Sequence, residues 1–144
     1  MKVIGFAGWS GSGKTTLVEQ VIGLLEQRGL AVSLIKHAHH EFDIDHSGKD
    51  SHRHRNAGCR EVLVTSARRW AMVHELRNEP ELTLDQALAR LSPCDIVLVE
   101  GYKQAPIAKI EVWRQENGKP QLFPNDPHIK YNLHLMFSPR DLAF

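Results

Sequence analysis

Residues Gly8-Trp9-Ser10-Gly11-Ser12-Gly13-Lys14-Thr15 follow the pattern G-x-x-x-x-G-K-[ST], and the chemistry of that pattern is polyphosphate capture. Glycines let such a loop curl so that main-chain N–H groups at a helix mouth point at the phosphates. Lys14 can reach the β and γ oxygens, and the Thr15 hydroxyl can ligate Mg²⁺. Gly8, Trp9, Ser10, Gly11, Ser12, Gly13, Lys14, Thr15 and Thr16 are therefore the candidate nucleotide-binding residues.

A second anchor is Asp95-Ile96-Val97-Leu98-Val99-Glu100-Gly101. A carboxylate at the C-terminal end of a buried strand beside such a loop helps hold Mg²⁺, directly or through water. Glu100 occupies that position, whereas Asp95 belongs at the opposite edge of the sheet as a solvated or capping residue. Lys36 and Lys103 fall at the same sheet edge as Glu100, where each could meet phosphate oxygens, meet an acidic substrate, or stand as a plain surface lysine. Asp50, in Gly48-Lys49-Asp50-Ser51, could orient water or reach Mg²⁺ through water, or simply cap a helix. Lys14, Asp50 and Glu100 are the catalytic candidates, and Thr15, Glu100 and Asp50 the metal candidates.

His37, His39, His40, His46, His52 and His54 cluster with Glu41, Asp43, Asp45 and Asp50. Two functional readings stand beside that of a solvated loop: a transition-metal site, and a switch that contacts phosphates. The spacing matches no recognised structural zinc site, and neither cysteine adjoins it. Arg53, Arg55, Arg68 and Arg69 could bind an anionic group or face solvent. Trp70 and Trp113 read as core or interface residues, and Trp9 as a cover for the nucleotide or a packing group.

The elements that position these residues are legible in outline. Val3–Ala7 is a short apolar strand, and Leu17, Val21, Leu24 and Leu25 repeat at helical spacing between Thr15 and Arg28, with Gly29 as the stop. Ala31–Lys36 completes a βαβ unit, which crosses over right-handed into a parallel sheet. Asp50–Ala57 reads as a short helix capped by Asp50 or Ser51, and Glu61–Ser66 and Trp70–His74 as strands joined by a turn at Ala67–Arg69. Thr83 with Gln86 is a capping-box pattern for a helix through Leu91. Asp95–Glu100 reads as a strand buried on both faces. Lys109–Arg114 alternates, and Asn117-Gly118 signals a hairpin turn after it. The expected fold class is α/β: a P-loop NTPase-like three-layer fold, mostly parallel, with helices on both faces and a β-hairpin insertion.

The chain of 144 residues is expected to form a single nucleotide-binding domain, 1–144, with residues 130–144 atypical. A formal net charge of +1 gives no electrostatic case for nucleic acid or an anionic membrane surface. No apolar stretch approaches the length of a membrane span, and Met1-Lys2 leads straight into a strand, so a cytoplasmic location is expected. Cys59 and Cys94 read as reduced thiols.

Taken with the phosphate loop, Leu34-Ile35-Lys36-His37-Ala38-His39-His40, Gly48-Lys49-Asp50-Ser51 and Leu98-Val99-Glu100-Gly101-Tyr102-Lys103 resemble the MobB family, the adapters of molybdopterin-guanine dinucleotide biosynthesis. Arg55-Asn56-Ala57-Gly58 and Ile107-Ala108-Lys109-Ile110 fit the same pattern, which runs to about Ile129. After Asn125-Asp126-Pro127-His128-Ile129 the chain departs from it, and the tail looks foreign and shortened. The resemblance implies a homodimeric GTP-binding adapter with weak GTPase activity. It would act with the molybdenum cofactor guanylyltransferase, delivering GTP or holding molybdopterin. The roles implied are Gly11 to Thr16 on the triphosphate, Thr15 and Glu100 on Mg²⁺, and Asp50 near the γ-phosphate. No [NT]-K-x-D guanine signature occurs. A small-molecule kinase, with Lys36, Lys103 or the arginines seating an acceptor, and a metallochaperone-type GTPase using the histidine-rich loop are the alternative readings.

Overall fold

The computed structural model describes residues 1–38 and 42–135. His39, His40 and Glu41 of the histidine-rich loop, and the tail beyond Leu135, lie outside the described residues. In chain order the elements are β1 (Lys2–Ala7), α1 (Lys14–Gln27), β2 (Val32–Lys36), α2 (Asp50–Asn56), β3 (Glu61–Thr65), β4 (Trp70–His74), α3 (Leu84–Leu88), β5 (Ile96–Glu100), β6 (Lys109–Trp113) and β7 (Ile129–His134). Two compact units divide them: Met1–His37 with Leu84–Phe144, and Ala38–Thr83.

The first unit is built on a five-stranded parallel sheet in the order β2-β5-β1-β6-β7. Side chains alternate across a strand, so β5 must bury both of its faces against something apolar. Leu98 joins Phe6, Val112 and Val18 under α1. Val97 and Val99 project to the other face and pack with Leu84 and Leu88 of α3. Helices therefore cover both faces, giving the three layers expected. Asp95 lies before β5 at the far edge, where its carboxylate accepts the Ala31 N–H at 2.8 Å and so acts as a backbone cap.

Three local expectations are corrected. Asn117-Gly118 does not turn a hairpin, because β6 and β7 run parallel. Gly118, at φ 60°, instead closes a single 3₁₀ turn over Gln115–Asn117. The buried Glu111 carboxylate then accepts the N–H groups of Leu122 (2.6 Å) and Phe123 (3.0 Å), which holds the returning chain against the sheet. Asn-Gly still turns the chain, but the strand that pairs with β6 is decided by distant contacts. Helix α3 ends at Leu88 instead of Leu91. Helix α2 is capped at Lys49, not Asp50 or Ser51, and the Ser51 hydroxyl donates to Asp45 at 2.8 Å. Residues 130–134, expected to be atypical, belong to β7, which forms an edge strand of the sheet.

The second unit carries the antiparallel pair β3–β4, closed at the expected turn by Ser66 N–H donating to Arg69 O at 2.9 Å. Its polar centre is Arg55. This guanidinium forks onto Asp43 (2.7 and 2.9 Å), donates to Asp45 (3.2 Å) and meets Glu75 (2.6 Å). Its neighbours are fixed in turn, since three carboxylates share one planar fork. Arg55 is thereby engaged within its own unit, and these contacts raise its pKa well above the usual arginine value. Trp70, read as core or interface, is 67% exposed on β4 together with Leu63, Val64 and Met72 nearby on the hairpin. Trp113 is half-buried, donating to Lys119 O at 2.8 Å and lying 4.6 Å from the His134 ring.

Candidate nucleotide site

The loop between β1 and α1 turns through backbone that side chains disfavour. Gly8, Gly11 and Gly13 have φ of 142°, 77° and 91°. At Gly8 the constraint is doubled, because a Cβ there would lie 2.3 Å from the Val112 carbonyl oxygen and 2.9 Å from Ser12 Oγ. Ser12 is buried, and its hydroxyl has no hydrogen-bond partner among the described residues.

Helix α1 opens from Gly13 with no side-chain cap and no acidic residue in its first turn. The N–H groups of a first turn have no acceptor within the helix, and with the helix dipole they favour an anion. Lys14 is folded back over the loop, donating to Gly8 O and Trp9 O, each at 2.8 Å. Thr15, next on the helix, is exposed, and Thr16 is half-buried.

Sheet register brings the other charged residues to this mouth. Phe6 of β1 is level with Glu100 of β5, and Glu100 with Lys36 of β2. By strand alternation Glu100 shares the face of Leu98, the face that α1 covers. The electrostatics of Lys14 record the result: burial lowers its pKa from 10.5, Glu100 pulls it back up, and Lys103 and Lys36 push it further down. Lys14 thus feels one carboxylate and two further cations, and an added anion would favour its charged form.

Gly101 and Tyr102 make the abrupt exit from β5, at φ 101° and 45°. A Cβ on Gly101 would sit 2.5 Å from the His37 Cβ, so this position needs glycine for space as well as conformation. The turn stacks Tyr102 on His37, ring centroids 4.6 Å apart, while His37 N–H donates to Glu100 O at 2.8 Å. Trp9 does not stand free as a cover. Its indole N–H donates to Pro120 O at 2.7 Å, and the Lys103 and Lys119 ammonium groups each lie 6.0 Å from its ring centre.

Asp50 belongs to the second unit. It is 87% exposed at the start of α2, with Arg53 at 3.8 Å. Among the described residues no three His, Cys, Asp or Glu side chains are placed to hold a metal ion. Sequence reasoning missed Lys109, Glu111 and Asp126. Lys109 and Glu111 alternate with apolar residues, which reads as a solvated face, yet both are buried because β6 lies inside the sheet. Only the neighbouring Ile107-Ala108 hinted at a structured segment.

Residues 3–132 match the family described as "Molybdopterin guanine dinucleotide synthesis protein B". The chain is 43% identical over 130 residues to the molybdopterin-guanine dinucleotide biosynthesis adapter protein of Escherichia coli, covering 88% of this chain and 74% of that one. It is 46% identical over 119 residues to the protein of the same name from Haemophilus influenzae, covering 82% of this chain and 66% of the relative. Among solved structures, a MobB homologue from Bacillus stearothermophilus superposes with a TM-score of 0.68 at 25% identity, over 98% of this chain and 90% of the other. MobB of Bacillus subtilis gives 0.66 at 27% identity, over 81% and 71%. On sequence and on fold, the chain belongs to the MobB family.

Proposed function

We propose that the protein is a GTP-binding adapter that assists conversion of molybdopterin to its guanine dinucleotide form. The observation that carries the reading is a glycine-turned loop at an uncapped helix mouth, with Lys14 folded over it and Glu100 and Lys36 ending level strands of the same sheet, in a chain of the MobB family. The residues fit a magnesium nucleotide. The amides of residues 11–16 and the Lys14 ammonium hold the phosphates, with Lys36 and Lys103 at their flank. Thr15 and Glu100 would hold Mg²⁺, which would supply positive charge to offset that of the phosphates. Hydrolysis is slow in this reading, because the charges acting on Lys14 come from one carboxylate, Glu100, and two lysines, a set with no evident general base once Glu100 serves the metal.

In this reading the protein works in the cytoplasm as a homodimer alongside the molybdenum cofactor guanylyltransferase. The apolar side chains exposed on the hairpin, Leu63, Val64, Trp70 and Met72, supply surface that a second copy could cover. No helix among the described residues is long and apolar enough to cross a membrane. Calorimetry with GTP, ATP and GDP, each with and without Mg²⁺, tests the reading. Saturable, Mg²⁺-enhanced binding that prefers GTP is expected. Absence of binding, or a preference for ATP with transfer to a small acceptor, overturns it.

A further inference from the structure

Lys109 is a lysine in an unusual place, 3% exposed at the start of β6, which lies between β1 and β7. Its ammonium donates to two oxygens, the Lys103 carbonyl at 2.6 Å and the Asp126 carboxylate at 2.8 Å. Asp126 is itself fixed, since its other oxygen accepts the His128 N–H at 2.9 Å. Register explains how the stem gets there. Lys109 is level with Gly5 of β1, where a Cβ would come within 3.0 Å of Lys109 Cγ and 3.1 Å of Ile107 Cδ1. A bare Cα in β1 is thus what admits the lysine. The irregular pairing of β6 with β7 between Lys109 and Ile110 falls at the same point.

One ammonium therefore ties the connection after β5 to the turn before β7. The tied connection begins at Glu100, turns at Gly101 and Tyr102, is closed by Ala105 N–H to Tyr102 O at 2.9 Å, and carries Lys103. We propose that Lys109, held by Asp126, is a positioning residue for the nucleotide site: by grasping the Lys103 carbonyl it sets the loop that presents Lys103 beside Lys14 and Glu100. The inference rests on the reading of those three residues as the nucleotide site. Stability alone does not account for the pair, because a buried ion pair contributes little over apolar side chains of similar volume. What an apolar pair cannot supply is a donor to the Lys103 oxygen.

That difference is the test. In the full-length double variant Lys109→Met, Asp126→Leu, thermal melting should stay near that of the parent. Amide hydrogen exchange at residues 101–106 should quicken by about tenfold or more, with α1 unaltered. Mg²⁺–GTP affinity by calorimetry should fall by roughly tenfold, and by no more when Lys103→Ala is already present, because both changes act through the same ammonium. Asp126→Asn, which keeps the shape and removes the charge, should move in the same direction and serves if the double variant does not fold. Unchanged exchange in the 101–106 loop overturns the proposal. So does quickened exchange with parental affinity, or a loss that simply adds to that of Lys103→Ala. A parent protein that binds no GTP while the variant loop still loosens sinks the nucleotide reading, and the proposal as stated falls with it on that separate ground.

Discussion

Lys36 and Glu100 are register partners at the C-terminal ends of two adjacent parallel strands, so a cation and a carboxylate finish at the same height beside the mouth of α1. The pairing follows from the apolar runs of β2 and β5, which fix the register by burial and leave the charged residues to close each strand. If Glu100 holds the metal, Glu100→Gln should weaken GTP binding by about tenfold with Mg²⁺ present and much less without it. Equal losses with and without Mg²⁺ in calorimetry would remove Glu100 from the metal shell.

Lys14→Ala should weaken nucleotide binding severely. It removes a charge-assisted contact of roughly 1.5–3 kcal/mol, ten- to hundredfold in affinity, and also frees the loop carbonyls it now bridges. Undiminished affinity in the variant, with its circular dichroism intact, would place the ligand elsewhere.

At Gly8 the cost is steric. An added methyl meets the Val112 carbonyl at 2.3 Å in a backbone conformation alanine avoids. Gly8→Ala should therefore both lower the melting temperature, by an effect on the order of 1–3 kcal/mol, and impair nucleotide binding. A variant with parental melting and parental affinity would mean that the loop relaxes freely, contrary to its packing on β6.

Much of the phosphate loop was legible because its constraints are local: three glycines, a lysine and a helix start within a few residues. β5 was equally legible, since only burial on both faces explains an unbroken Ile-Val-Leu-Val run. The 109–135 segment was not. Lys109 and Glu111 are charged residues inside the sheet, stabilised by partners 17 and 21 positions along the chain, Asp126 and Asn132. Asn117-Gly118 dictated a turn correctly but not the direction of the next strand. Arg55 looked like one member of a basic run, and its engagement by Asp43, Asp45 and Glu75 depends on how the polar loop folds over it.

Acid should destabilise the fold in a defined window. The carboxyl of Asp126 titrates below its ordinary 3.8: burial works against the charge, but hydrogen bonds from Lys109 and the His128 N–H outweigh it. Asp43 and Asp45 are lowered too, the first chiefly by its hydrogen bond from Arg55, the second chiefly by that from Ser51. A carboxyl depressed in the folded state stabilises fully above its unfolded value and loses that contribution as pH falls through the folded one. Thermal melts should therefore hold from neutrality to about pH 4 on account of these groups and decline below it. Asp126→Asn should remove part of that decline, and an identical acid profile in the variant would show that Asp126 has no share in it.

Replacing Arg55 by Met should loosen the second unit selectively, because Asp43, Asp45 and Glu75 would lose their common counter-charge. Limited proteolysis should cut within 38–83 while β1, β5 and β6 keep their exchange protection. Uniform loosening of both units would show that they unfold as one cooperative body.

The contacts of Lys14 with Gly8 O and Trp9 O carry a kinetic consequence. A long side chain immobilised on its own main chain has already given up its rotamer freedom, about 1.5–2 kcal/mol, during folding. An arriving anion then meets a preorganised cradle instead of recruiting a wandering ammonium. Its capture should show a single fast association phase, limited by diffusion and steering, with no slower step in which that side chain finds its place.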